Sequence, residues 1–349
     1  MKKTVTIILM GFGRVGRAFA HLLEEKRNLC AERYGLELEL KAILELGGGT
    51  VFSRHQELSR LLKNASPRLQ DDLSWNPGLT LEEILPKMEP GVLVDCTVSS
   101  LKTGEPGLGF LNKALECGWH VATAGKGGLV FDFKNLMKKA RTKGLKIKFS
   151  GATAAALPTL DVGLYSLAGA EILGIEGILN GTTNYILTRM DQGLGYEAAL
   201  SEARQKGIAE PDPSMDVEGW DTASKILLIS NAVVGTEFTF RDIKVEGITN
   251  ISPEVLRAAK EEGKAVKLLG TLLKQGNQFA AEVRICPLEP GHPLFGVSGT
   301  NKGITFFTDT MGSISVIGGK SDPRGAAAAL LKDILNIYVI RCKSQFNIL

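Results

Sequence analysis

The residues best suited to chemistry lie in 207–225, where Glu210, Asp212, Asp216 and Asp221 precede Lys225. Pro211 and Pro213 punctuate a loop, and a helix is expected from about Asp216. Asp221 and Lys225 are four residues apart, so they share one face of that helix. An acidic helix start with one surface ion pair is a common pattern and accounts for the same residues. The apolar run at 226–229 argues against a wholly exposed helix. A lysine held among carboxylates in a partly buried site can give a proton to a developing alkoxide while the acids orient it.

Two other segments carry polar groups in useful places. Asn180-Gly181-Thr182-Thr183-Asn184 ends an expected strand and opens a helix. Its hydroxyls and N–H groups, those of Gly181 and Thr182 included, suit a small polar substrate; a simple helix cap is the plainer reading. Ala124-Gly125-Lys126-Gly127-Gly128 follows a short strand. Ligands of open parallel sheets bind at such carboxyl ends, and Lys126 could meet a carboxylate or carbonyl there. A surface loop lysine is the alternative.

Gly11, Gly13 and Gly16 form G-x-G-x-x-G directly between an expected strand and helix. The first glycine permits a tight turn, the second lets backbone approach a pyrophosphate, and the third lets helix pack on strand. The loop Gly11, Phe12, Gly13, Arg14, Val15 and Gly16 is therefore the expected cofactor cradle, at a helix N-terminus that favours phosphate. Glu45 ends the second expected strand, where an acid accepts hydrogen bonds from ribose hydroxyls and repels a 2′-phosphate. The next cation after it is Arg54. NAD is slightly favoured over NADP on that ground, although Arg14 and Arg17 could support either.

These groups need a scaffold, and its periodicities are legible. Strands are expected at 4–10, 36–44, 92–96, 120–122 and 145–149, with helices after the glycine turn, at 110–117 and at 133–143. That alternation means α/β: a Rossmann-type, doubly wound parallel sheet. From Ser150 the character changes. A helix at 160–167, a strand at 172–179, helices through 183–234 and strands at 279–285, 303–308 and 313–317 make an α+β domain with a mixed sheet. A last helix at 324–335 returns to the first domain. The expected division is 1–149 completed by 318–349 for nucleotide, and 150–317 for substrate and dimerisation.

Composition excludes several classes. Of 349 residues, 44% are hydrophobic and 23% charged, with a net charge of +3. That is globular rather than disordered, and no basic block suggests nucleic acid. No apolar stretch reaches the length of a membrane span. Five cysteines without C-x-x-C spacing argue against zinc and a disulfide framework, so no metal centre is expected. The setting expected is a reducing cytoplasm.

N-G-T-T-N-Y-I-L at 180–187 and E-P-D-P-x-x-D-V-E-G-x-D-x-A-x-K at 210–225, supported by T-G-E-P at 103–106 and H-P-L at 292–294, identify a resemblance. The chain resembles homoserine dehydrogenases almost end to end. The resemblance implies NAD(P)-dependent interconversion of homoserine and aspartate semialdehyde, within threonine and methionine biosynthesis, by a homodimer. It implies that Lys225 and Asp221 serve hydride transfer, with Lys126 also in the active site. It further implies that Glu210, Asp216 and Thr182 line the substrate site, and that Thr97 lies beside the nicotinamide.

The sequence also departs from the pattern. Gly125 stands where the family usually has Asn. Many members open a glycine-rich sodium loop with glutamate, whereas Ser150 opens the segment here, which speaks against sodium; backbone carbonyls remain able to hold a weak ion. The glycine segment at 317–321 is altered too. The sequence ends at Leu349, as expected of a short form without a regulatory domain or fused kinase. Two other functions remain open at this point: a dehydrogenase of a related amino acid, and a catalytically silent nicotinamide sensor.

Overall fold

The computed structural model describes residues 2–63, 68–319 and 322–338. The chain forms two compact units, Met1–Ala152 with Asp322–Leu349, and Thr153–Ser321.

The first unit is built on β1 (Lys3–Met10), β2 (Leu36–Glu45), β3 (Gly48–Val51), β4 (Asn76–Pro77), β5 (Val92–Asp95), β6 (His120–Thr123) and β7 (Ile147–Lys148). Their order is β4-β3-β2-β1-β5-β6-β7. The strands from β2 through β1 and β5 to β7 are parallel, and β3 and β4 extend the edge antiparallel. Ile7, Ile8 and Leu9 are wholly buried, as a strand covered on both faces requires. The chain leaves β1 toward β2 on one side and later resumes with β5 on the other. The crevice between the carboxyl ends of β1 and β5 is thus the switch point where such sheets bind ligands. Helix Pro323–Tyr338 packs on helix Arg14–Tyr34, and its Leu330, Ile334 and Ile337 share one core with Phe19 and Leu22.

The second unit has a six-stranded sheet of β8 (Ile172–Ile178), β9 (Ile243–Val245), β10 (Ala265–Gln275), β11 (Gln278–Leu288), β12 (Lys302–Thr308) and β13 (Ser313–Gly318). Its order is β13-β12-β8-β10-β11-β9, antiparallel except for β11 with β9, so the sheet is mixed. Helices Gly181–Asp191, Tyr196–Gln205 and Trp220–Val233 belong to this unit.

Three local expectations fail. The helix expected at 160–167 is one α turn, Thr159–Asp161, followed by the π-helical turn Val162–Ser166. The strand expected at 145–149 shrinks to β7. The helix expected to run on from Asp216 is broken: Ser214–Val217 is one turn, and Trp220–Val233 starts only after Gly219, whose φ of 88° is left-handed. The long β10 lay unassigned, because its paired leucines suit helical spacing as readily as a strand.

Candidate active site

In the first unit, the loop from Gly11 to Gly16 crosses from β1 into helix Arg14–Tyr34. A Cβ on Gly16 would lie 2.0 Å from the Gly11 carbonyl oxygen, so helix and turn approach too closely for any side chain. A Cβ on Gly13 would meet nothing within 4 Å, so that side of the turn is open. No side chain caps this helix, which leaves its first N–H groups directed outward, as a pyrophosphate needs. Phe12 is buried beneath the Arg17 guanidinium, 4.6 Å from its ring centre; its backbone faces the loop while its ring joins the core. Arg14 is exposed and Val15 half-buried. Glu45 ends β2 beside this turn, and its Oε1 accepts the Phe12 N–H at 3.2 Å. The residues present therefore fit a dinucleotide.

Across the switch point, a carboxylate that sequence reasoning overlooked organises the loops. Asp95, 1% exposed at the end of β5, accepts the Thr97 N–H at 3.0 Å and the Thr97 hydroxyl at 2.6 Å through Oδ1. Its Oδ2 accepts the Thr123 hydroxyl at 2.7 Å, and Thr123 Oγ1 accepts the Gly125 N–H at 2.9 Å. Burial pushes the Asp95 carboxyl above the usual range, against the hydrogen bonds from Thr97 and Thr123 that pull it down. Lys126 follows and opens helix Gly127–Thr142. A Cβ at Gly125 would stand 2.6 Å from Asp95 Oδ2, which explains why asparagine does not fit here.

In the second unit, the acid-lysine segment closes into one network. Lys225 Nζ donates to Asp221 Oδ2 at 2.5 Å and to the Leu179 carbonyl at 2.8 Å. The two side chains are only 15% and 11% exposed, so this is not the solvent-exposed pair that the spacing alone allowed. Ile226 through Ile229 are wholly buried behind them. Asn180, which the sequence offered as a helix cap, ties the network together. Its Oδ1 caps helix Gly181–Asp191 by accepting the Thr183 N–H at 2.9 Å. Its Nδ2 donates to Asp216 at 2.6 Å and to Asp221 at 2.7 Å. The Asn180 motif is thus a cap and a bridge at once. Burial, and then the neighbouring Asp221 charge, raise the Asp216 carboxyl above its ordinary range, while Asn180 and Lys225 oppose them.

Gly181 and Thr182 open the capped helix, both buried, and the Thr182 hydroxyl donates to the Ile208 carbonyl at 3.2 Å. Glu210 is exposed in the loop before Pro211 and takes no part in the network. Such an arrangement holds a cation ready beside two acids, and it can deliver or accept a proton in a place of restricted water.

Comparison with known proteins decides the lineage. The family model "Homoserine dehydrogenase" matches residues 158–335. The chain is 35% identical to the homoserine dehydrogenase of Methanocaldococcus jannaschii, over 95% of this chain and 98% of the relative. The chain belongs to the homoserine dehydrogenase family. It is also 30% identical to an NAD(+)-dependent homoserine dehydrogenase of Pseudomonas canavaninivorans, over 97% of each chain. Among solved structures, a hyperthermophilic archaeal homoserine dehydrogenase in complex with NADPH is similar with a TM-score of 0.82 at 25% identity, covering 96% of this chain and 98% of that one. The enzyme is thus an oxidoreductase of homoserine that depends on NAD(P), and neither a silent sensor nor a dehydrogenase of another amino acid is favoured.

Proposed function

We propose that Lys225 is the proton donor and acceptor of this homoserine dehydrogenase and that Asp221 orients it. In the reducing direction, aspartate semialdehyde becomes homoserine as its carbonyl carbon gains a hydride and its oxygen a proton. The bound nicotinamide supplies the hydride. Charge then develops on the oxygen, and an ammonium already fixed by Leu179 O and Asp221 meets it without reorganising. In the other direction Lys225 takes the hydroxyl proton back. The observation that carries this reading is the buried contact of Lys225 with Asp221 at 2.5 Å.

The remaining roles are those that the family resemblance implies, proposed here for this chain's residues. Asp216, held by Asn180, and Glu210 bind the substrate ammonium. Gly181 and Thr182 border the same helix start and contact the substrate. Lys126 meets a substrate oxygen or carboxylate. Gly11, Phe12, Gly13, Arg14, Val15 and Gly16 cradle the pyrophosphate, Glu45 takes the adenosine ribose, and Thr97 lies by the nicotinamide. Glu45 supports a preference for NAD, the cofactor named for the Pseudomonas relative, over NADP, the one bound in the archaeal structure.

Sodium is not expected to be required. Where the family has a carboxylate, Ser150 instead donates its N–H and hydroxyl to Asp333, both at 2.8 Å, and receives Lys332 Nζ at 2.8 Å. We assign the enzyme to threonine and methionine biosynthesis, as a cytoplasmic homodimer. Cys30, Cys96, Cys117 and Cys286 are free thiols, and Cys342 lies outside the described residues. Among the described residues no helix is long and apolar enough to cross a membrane. The direct test is homoserine oxidation with NAD and NADP in parallel. Turnover with homoserine, and higher kcat/KM with NAD, is expected. Cofactor binding without turnover of homoserine or aspartate semialdehyde would overturn the reading.

A further inference from the structure

Lys302 lies outside every role described so far, yet it is only 3% exposed. A buried ammonium is costly unless oxygens replace its water. Its Nζ donates to the Ala154 carbonyl at 2.7 Å. The same carbonyl accepts the Leu157 N–H at 3.2 Å, closing a tight loop. Ala155 within that loop has φ of 52°, and among the described residues it is the one non-glycine with positive φ. Backbone held in this way is strained and persists only where its surroundings enforce it. Gly319 packs against the loop so tightly that a Cβ there would lie 2.7 Å from the Leu157 nitrogen.

The loop connects to the catalytic network within the same unit. Thr153 and Thr159 share a buried hydrogen bond of 3.0 Å across it, and the helix that starts at Thr159 packs on the Lys225 helix, Trp220–Val233. On the other side, Lys302 begins β12. Its neighbour Gly303 pairs with Ile178, one residue before the Leu179 whose carbonyl holds Lys225.

We infer that the Lys302 ammonium is a built-in monovalent cation, which holds the 153–157 loop by its carbonyl oxygen and thereby positions the Lys225 helix and the end of β8. Carbonyl oxygens that bind an ammonium also suit a free monovalent ion of similar size. A tethered ammonium removes the need for one, because its local concentration is fixed by the chain. Lys302 is therefore a positioning residue, and its removal leaves a site for a small cation.

The experiment compares wild type with Lys302→Ala in sodium, potassium, ammonium and choline chlorides at one ionic strength. Wild-type kcat and Tm are expected to be the same in all four. In choline, kcat of Lys302→Ala is expected to fall roughly ten- to a hundredfold, as misplaced catalytic groups do. Saturable recovery by ammonium, potassium or sodium is expected, with a parallel rise in Tm. The Tm arm needs no substrate, so it stands apart from the assignment of the reaction. Full activity of Lys302→Ala in choline, a loss that no small cation restores, or saturable cation activation of the wild type would each overturn the inference. If the variant does not fold in choline, refolding in ammonium chloride is read against tetramethylammonium chloride. Recovery in ammonium alone supports the built-in cation, and equal failure in both contradicts it.

Discussion

The Glu45 carboxylate accepts the backbone N–H of Phe12 at 3.2 Å, which fixes an acid from β2 against the glycine turn. One of its oxygens is tied to the protein, and on the proposed reading the carboxylate still repels a 2′-phosphate. Glu45→Ala is expected to lower kcat/KM with NAD roughly 10- to 100-fold, the loss of a hydrogen bond to a charged group, and to penalise NADP less. Glu45→Gln keeps an acceptor for Phe12 without the charge, so it should also shift the ratio toward NADP. Parallel kinetics with both cofactors check this. A wild type that prefers NADP, with a ratio neither variant moves, would remove Glu45 from cofactor selection.

Asp95 ties together the loops that follow β5 and β6. Alanine there removes the acceptor of the half-buried Thr97 N–H and hydroxyl and one acceptor of the buried Thr123 hydroxyl. Denaturant unfolding should show Asp95→Ala destabilised by roughly 2–4 kcal/mol, and Asp95→Asn by less, since the amide retains one acceptor. Equal, negligible losses in both variants would show that these hydrogen bonds do not hold the loops.

Asp216 predicts a pH dependence with a definite sign. Its carboxyl is raised above the ordinary value of 3.8. In its proposed role it must be ionised to attract the substrate ammonium, so kcat/KM for homoserine should fall as pH is lowered, through an apparent pKa above 3.8. Asp216→Asn should lower kcat/KM at neutral pH and abolish that acid limb. An unchanged limb in the variant would assign the titration to another group.

Much of this was legible because periodicity and motif agreed. The strand, glycine turn and helix at the start of the chain, and the four-residue spacing of Asp221 and Lys225, follow from local rules alone. What escaped depended on contacts far apart in sequence. Asp95 ends a four-residue apolar strand, and its importance rests on Thr97 and on Thr123 from the next strand. Asn180 looked like a cap, which it is; its second duty needs acids 36 and 41 residues away. Gly219 breaks the acidic helix by its backbone angle, which the motif around it does not reveal. Lys302 just precedes the expected strand at 303–308, and its meaning appears only when the fold brings the Ala154 carbonyl to it.

The central claim rests on Lys225, and the decisive measurement is the steady-state kcat of Lys225→Ala on protein shown to be folded. The account predicts a fall of roughly two to four orders of magnitude, the range of a positioned acid–base group. Cofactor affinity should barely change. Asp221→Ala should show a similar or smaller loss, and the double variant should fall well short of additive, because the two act as a unit. A folded Lys225→Ala enzyme with near wild-type kcat would contradict the mechanism and leave Lys126 as the candidate acid.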